Sequence, residues 1–239
     1  PISAMNEATV VVTGAAGGIG SALVRAFADA GATVVAAIRT GSDDRPMPGS
    51  ESEEGLFADL DTVDTVTADV RDEFDAERLM ERAARAGGEI DLVIPCAGVF
   101  NGAPGEAPLD DEAYAAFDNQ FRTNARGVFA TIKEAVPHLA PDARVLVPSG
   151  KVAVEASAGY GGYAVSKAAA EAVARGFAAD IDQAVGVVDP GIVATELTGG
   201  QGRDPEDVVG LFEWAATDVD AEAIDGGRLG LADWKKATR

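Results

Sequence analysis

The chain has 239 residues, of which 47% are hydrophobic and 25% charged, a balance typical of a globular protein that buries one large core. Its 40 acidic residues against 19 Lys and Arg give a formal net charge of -21, which disfavours binding to nucleic-acid phosphates. A single cysteine and a single histidine exclude an internal disulfide and the usual ligand set of a zinc site, so no metal is expected.

The same features predict where the protein works. No apolar run reaches the ~20 residues that a membrane span needs, and one cysteine favours a reducing, cytoplasmic setting. Residues 1–8 are predicted to be an N-terminal tail, with residues left over from expression as the alternative. The acidic surface is interpreted as a solubilising one; the alternative is adaptation to high salt, which would make the protein halophilic.

Apolar strand patterns and helical patterns alternate along the chain. Strands are predicted around 9–13, 33–40, 63–70, 90–99, 143–150 and 184–197, with helices at 21–32, 71–88, 109–139, 161–181 and 205–216 and a last strand near 228–234. Such alternation predicts an α/β fold of three layers: one doubly wound, Rossmann-like parallel sheet in a single domain over residues 9–239. A substrate lid is predicted around residues 195–214, and ligands are expected at the carboxyl ends of the strands.

A glycine-rich turn joins the first strand to the first helix. It reads TGAAGGIG over residues 13–20, and Gly14, Gly18, Ile19 and Gly20 are the expected nucleotide contacts. Glycines permit a tight turn and close approach of the backbone to a pyrophosphate, while the helix N-terminus offers N–H groups. A purely structural turn is the alternative, but the strand before it and the helix after it favour nucleotide binding.

The end of the second strand predicts which dinucleotide binds. Arg39 and Thr40 stand where a carboxylate would select NAD by binding the ribose 2'-hydroxyl. An arginine can instead pair with a 2'-phosphate through charge-assisted hydrogen bonds. NADP(H) is therefore preferred over NAD(H), although Asp43 and Asp44 follow closely and could return a carboxylate.

Five motifs then occur in one order along nearly the whole chain. They are Thr13-Gly14-x-x-x-Gly18-Ile19-Gly20, Asp69-Val70, Asn124-x-x-Gly127-x-Phe129, Tyr163-x-x-Ser166-Lys167 and Pro190-Gly191-x-x-x-Thr195. This series resembles the short-chain dehydrogenases/reductases. The resemblance implies an enzyme that transfers hydride between a nicotinamide cofactor and a secondary alcohol or ketone.

Tyr163 and Lys167 are the expected centre of the chemistry. Residues four apart share one face of a helix, and a nearby ammonium is expected to lower the pKa of a phenol that ordinarily titrates near ~10. The phenol would then exchange a proton with the substrate oxygen. By the resemblance, Lys167 also binds the nicotinamide ribose and Asn124 supports a water chain, whereas Tyr160 is interpreted as a wall of the cleft.

The resemblance also implies further cofactor contacts. Asp69 would bind the adenine amino group, and Thr195 would bind the nicotinamide carboxamide. The remaining implied contacts are Val70, Ala97, Gly98, Pro190, Gly191 and Ile192. Each has a structural alternative: Asp69 could be a helix N-cap, Asn124 a helix kink and Thr195 an ordinary turn residue.

The chain departs from the family pattern at two places. Pro95-Cys96 replaces a pair of asparagines before Ala97-Gly98, which makes Cys96 a candidate apolar filler. Gly150 stands where the family has a serine that orients the substrate oxygen, and Ser149 lies one residue too early. We expect a bulge after the fifth strand to return Ser149 to the site; otherwise Ser157 or a water must substitute.

These departures keep a second function open. The leading hypothesis is an NADP(H)-dependent oxidoreductase, and the alternative is a non-catalytic relative that senses the cofactor or serves as a scaffold. A dehydratase or epimerase on the same scaffold would also use Tyr163 and Lys167. The resemblance implies a homodimer or homotetramer built on the helices at 109–139 and 161–180.

The substrate pocket has four candidate lining residues, each of which could equally belong to the core. They are Phe100, Leu197, Phe212 and Trp214.

Overall fold

The computed structural model describes residues 5–39 and 55–238. Within them, seven parallel strands form one sheet in the order β3-β2-β1-β4-β5-β6-β7. The strands are β1 (Thr9–Thr13), β2 (Thr33–Ile38), β3 (Val63–Thr67), β4 (Ile90–Pro95), β5 (Leu139–Pro148), β6 (Ala184–Asp189) and β7 (Arg228–Gly230). The chain reverses its direction across the sheet between β1 and β4, so the prediction of a doubly wound, Rossmann-like parallel sheet is confirmed.

Helices cover both faces of this sheet. They are α1 (Gly18–Asp29), α2 (Glu73–Gly87), α3 (Tyr114–Phe121), α4 (Gly127–Ala135), α5 (Gly161–Asp180), α6 (Glu206–Thr217), α7 (Ala221–Ile224) and α8 (Leu231–Ala237). Because strand residues alternate between faces, Leu146 joins the core under α1 and α6, whereas Val145 and Val147 join the core under α2, α4 and α5. Both cores consist mainly of fully buried Val, Leu, Ile, Ala and Phe.

The predicted helix over 109–139 is broken in the structure. A 3-10 turn at Leu109–Asp111 precedes α3, and a π-helical turn at Arg122–Arg126 separates α3 from α4. Such a turn adds a residue to the helical repeat and re-aims the side chains around it. Hydrophobic periodicity does not reveal a single inserted residue, which explains the difference.

The segment predicted as a lid, residues 195–214, runs into a regular helix. Residues 206–214 belong to α6, whose Leu211 and Phe212 are fully buried in the core. Phe212 is therefore a core residue, and a lid over the remaining residues 195–205 stays a prediction. Within the described ranges, no helix is long and apolar enough to cross a membrane.

Candidate active site

The turn after β1 is shaped for close packing against β4 and α1. Gly14 has a φ of +64°, and a Cβ there would lie 2.6 Å from the Cα of Ala97. A Cβ on Gly20 would lie 2.3 Å from the carbonyl oxygen of Gly14. Gly17 caps α1 without a side chain, and the first turn of α1 holds no acidic residue. The helix thus presents N–H groups and a positive end toward the strand edge, which suits a phosphate.

A cavity of about 100 Å³ lies at the carboxyl ends of β1 to β4. Its wall includes predicted cofactor contacts from four separate motifs. They are Gly14, Arg39, Asp69, Val70, Ala97 and Gly98. The fold therefore brings these residues together around one cavity. Thr40, Asp43 and Asp44 lie outside the described residues.

Asp69 is held by an arginine that sequence reasoning missed. The guanidinium of Arg71 donates to Asp69 Oδ1 at 3.0 Å, to Asp69 Oδ2 at 2.6 Å and to Asn119 Oδ1 at 3.1 Å. Burial alone would raise the pKa of Asp69, but these bonds and the charges of Arg71 and Arg39 hold it below its ordinary value. Arg71 also lines the cavity, which therefore carries two guanidiniums, those of Arg39 and Arg71.

Asn124 ties the end of β4 to α5. Its side chain is buried on the π-helical turn, accepts from the Val99 N–H at 2.8 Å, and donates to the Val99 carbonyl at 2.8 Å and to Ser166 Oγ at 2.9 Å. The helix irregularity named as an alternative is thus present at this asparagine. Its role in a proton path stays a prediction, because all three bonds go to protein groups.

Tyr163 and Lys167 lie on α5 as predicted, but their acidities differ from the expectation. Burial raises the pKa of Tyr163 to about 12, and the proximity of Cys96 and Tyr160 adds to the rise. Burial lowers the pKa of Lys167, opposed by Cys96 and Glu171. The Lys167 ammonium donates to the Pro148 carbonyl at 2.7 Å. These effects favour the protonated phenol, the opposite of the lowered pKa expected from a neighbouring ammonium.

An aromatic stack lies beside Tyr163. Phe100 stacks on it with ring centroids 4.8 Å apart and also stacks on Tyr160 with centroids 6.0 Å apart. Tyr160 thus contacts the ring beside Tyr163, consistent with its interpretation as a cleft wall. Cys96, at the position of the lost asparagine, is a free thiol whose pKa burial raises to about 11, which fits an apolar filler better than a nucleophile.

The side chain of Ser149, the predicted orienting hydroxyl, points toward Glu171 on α5. β5 pairs regularly with β6 up to Pro148, and the Ser149 N–H continues that ladder to the Val188 carbonyl. Ser149 therefore keeps the alternation of Val145 and Val147 toward α5, where its hydroxyl donates to Glu171 at 2.6 Å. β5 is regular up to this point, and the expected bulge would lie after it, so Ser149 as the orienting hydroxyl stays a prediction. A Cβ on Gly150 would meet nothing within 4 Å.

The segment after β6 returns to the cradle. A Cβ on Gly18 would lie 3.0 Å from Thr195 Cγ2, so Thr195 covers the start of α1. Gly191, at a φ of +74°, donates its N–H to Asp189 at 2.9 Å. The Thr195 N–H is engaged within this turn, because it donates to Thr198 Oγ1 at 3.0 Å. Ile192 is 65% exposed beside these residues.

Comparison with known proteins agrees with this arrangement. The profile of the family described as short chain dehydrogenase matches residues 8–206. The chain is 36% identical over 202 residues to 1-deoxy-11-beta-hydroxypentalenate dehydrogenase of Streptomyces avermitilis, covering 82% of this chain and 72% of that one. It is 30% identical over 199 residues to 1,2-dihydroxy-1,2-dihydronaphthalene dehydrogenase of Pseudomonas putida, covering 81% and 73%. A short chain dehydrogenase from Burkholderia cenocepacia in complex with NADP has the same fold, with a TM-score of 0.80 at 23% identity over 95% and 97% of the two chains.

Proposed function

Because this chain belongs to the short-chain dehydrogenase/reductase family and is an NAD(P)-dependent oxidoreductase, we propose that it uses NADP(H) to reduce a ketone or oxidise a secondary alcohol. The observation that carries the proposal is the convergence of two features at one strand edge. They are the guanidinium-lined cavity at the ends of β1 to β4, and Tyr163 with Lys167 on α5. The cofactor would supply or accept the hydride.

Two arginines support the preference for NADP(H). Arg39 and Arg71 line the same cavity, and Arg71 is kept in place by Asp69 and Asn119. A 2'-phosphate carries about two negative charges, and guanidiniums bind such groups through paired charge-assisted hydrogen bonds. Because the Asp69 carboxylate is paired with Arg71, it adds no uncompensated negative charge that would repel a 2'-phosphate.

Replacing Arg39 tests the cofactor proposal. A hydrogen bond to a charged group contributes about 1.5–3 kcal/mol, so Arg39→Ala should raise the Kd for NADPH by about 10- to 100-fold and leave that for NADH within about threefold. Arg85→Ala is the matched control, because Arg85 is an exposed arginine whose partner is Glu81 on the same helix. Equal losses for both cofactors, or tighter binding of NADH by the wild type, would reject the preference.

We assign the proton transfer to Tyr163. Since its pKa lies near 12, the hydroxyl is protonated at neutral pH and can donate to a carbonyl oxygen that receives hydride on carbon. Lys167, fixed by the Pro148 carbonyl, places a cation beside that transfer. Gly150 offers no hydroxyl, so Tyr163 carries the orientation of the substrate oxygen as well as the proton.

A ring-bearing substrate fits the approach to Tyr163. The partly exposed rings of Phe100 and Tyr160 stack in series beside it, and aromatic faces favour offset contact with another flat ring. One relative is named for 1,2-dihydroxy-1,2-dihydronaphthalene, a bicyclic compound. NADPH consumption should therefore be faster with bicyclic aryl ketones than with open-chain ketones of equal size. Phe100→Leu should reduce that difference, whereas no turnover of any ketone despite tight NADPH binding would support a cofactor sensor instead.

We also propose that the protein forms a homodimer through α3, α4 and α5. Exposed apolar side chains lie on these helices: Tyr114, Phe121, Phe129 and Val165. Because monomers rarely leave such a face open, Phe129→Glu should convert a dimer into a monomer in light scattering. A wild-type monomer at micromolar concentration would contradict this arrangement.

A further inference from the structure

A buried ionic cluster joins α5 to the ends of three strands. Arg228, on β7, donates to Glu171 on α5 and, at 2.8 Å, to Asp189 at the end of β6. The hydroxyl of Ser149, just after β5, donates to the same oxygen of Glu171. The side chains of Glu171, Asp189 and Arg228 are 5%, 15% and 28% exposed. No motif in the sequence pointed to this cluster.

The cluster reaches Lys167 in two ways. Glu171 lies one turn along α5 from Lys167, and its negative charge opposes the lowering of the lysine pKa by burial. Ser149 follows Pro148, whose carbonyl accepts the Lys167 ammonium at 2.7 Å. Around Lys167, Cys96 just after β4 and Glu171 from α5 are the titratable groups that affect it. Two basic groups, Lys167 and Arg228, thus stand beside two carboxylates, of which that of Glu171 is buried.

The same cluster fixes the turn after β6. One oxygen of Asp189 accepts from Arg228, and the other accepts from the Gly191 N–H at 2.9 Å. Gly191 has a φ of +74°, in the region where glycine is favoured. By the family resemblance, this turn contacts the nicotinamide. A single guanidinium therefore connects the catalytic helix to the turn on the opposite side of the cleft.

We propose that Glu171 and Arg228 are positioning residues: Arg228 clamps Glu171 to Asp189, which holds Lys167 and the Pro190–Gly191 turn at a fixed separation. The inference rests on the proposed function, since it assigns these residues to the same cleft. Removing one partner leaves a buried carboxylate uncompensated, and coupled networks of this kind respond non-additively to substitution. The bonds to Glu171 and Asp189 leave from the two terminal nitrogens of the guanidinium, a fixed planar spacing that the single nitrogen of an ammonium does not reproduce.

The clamp is tested with Arg228→Lys and Glu171→Gln in the full chain. Arg228→Lys keeps the charge but loses the fork, so the Kd for NADPH, measured by its fluorescence, should rise about tenfold. Glu171→Gln keeps an acceptor for Ser149 but removes the charge that favours the Lys167 ammonium. In that variant kcat should fall about tenfold with NADPH affinity changed less than threefold, and the loss of activity at high pH should begin at a lower pH than in the wild type.

Controls separate positioning from general stability. Glu81→Gln and Arg85→Lys make the same chemical changes in an exposed pair on α2 and should leave both readouts unchanged. If Arg228→Lys unfolds, Asp189→Asn removes the same clamp with an isosteric side chain and should also weaken NADPH binding about tenfold. Two results together would overturn the proposal. Arg228→Lys would melt like the wild type and bind NADPH with unchanged affinity, and Glu171→Gln would show an unchanged pH profile. A wild type that binds NADPH without turnover would refute the proposed function alone, because the affinity test of the clamp needs no catalysis.

Discussion

The raised pKa of Tyr163 predicts that the two directions of the reaction respond differently to pH. With a pKa of about 12, about one molecule in 100,000 carries the phenolate at pH 7, against about one in 1,000 for an ordinary tyrosine. This shift of two units corresponds to roughly 3 kcal/mol in favour of the protonated phenol. Reduction of a ketone uses that protonated form, whereas oxidation of an alcohol needs the phenolate as base.

The assay is kcat/KM in both directions between pH 6 and 9.5. Reduction should be nearly flat, and oxidation should rise by up to about tenfold per pH unit. Tyr163→Phe should abolish both reactions, and Tyr160→Phe, a neighbouring tyrosine on the same stack, should keep the wild-type profiles. The chain has three tyrosines, so the tyrosinate absorbance lost in Tyr163→Phe titrates this phenol directly. An oxidation rate already at its plateau at pH 7, or a Tyr163 step below pH 9, would refute the reasoning.

Three further predictions concern the cysteine, the missing serine and the acidic surface. Burial raises the pKa of Cys96 to about 11, so thiol reagents at pH 7 should label it slowly in the native protein and at least about 100-fold faster in denaturant; fast native labelling would contradict this environment. Gly150→Ser adds a side chain where space is open, so it should leave the melting temperature within a few degrees and raise ketone kcat/KM about tenfold, while Ser149→Ala should not reproduce that effect. Because the net charge is -21, the melting temperature should rise between 0.1 and 2 M KCl as self-repulsion is screened; a flat response would disfavour a high-salt adaptation.

Local patterns were sufficient for the parts of this molecule that depend on neighbouring residues. The apolar runs of β1, β2, β4 and β6 and the glycine turn between β1 and α1 follow from periodicity and backbone conformation. Their spacing placed the cofactor contacts and the Tyr163–Lys167 face on one strand edge. The order of these motifs along the chain carried the family resemblance.

The remaining features depend on contacts between distant segments. Glu171 and Arg228 are 57 residues apart, and their pairing arises only when α5 packs beside β7. The direction of the Tyr163 pKa was missed for a similar reason: a spacing of four residues reports that Lys167 is near, but not that burial outweighs its charge. The direction of the Ser149 side chain is a further example. It depends on the register of the strand, where a shift of one residue reverses the side chain, and the residue type does not reveal that register.

The distribution of charge reconciles an acidic protein with an anionic cofactor. Several surface arginines are engaged by carboxylates close to them: Arg25, Arg78, Arg82 and Arg126. Arg39, Arg71 and Lys167 lie instead at the carboxyl ends of the strands, near the glycine turn and the positive end of α1, and Arg71 is paired there with Asp69. At physiological salt a charge is screened beyond about 8 Å, so a compact dinucleotide within that cleft senses these cations more than the distant acidic surface. A long nucleic acid would cover that surface as well, and for it the net repulsion would dominate.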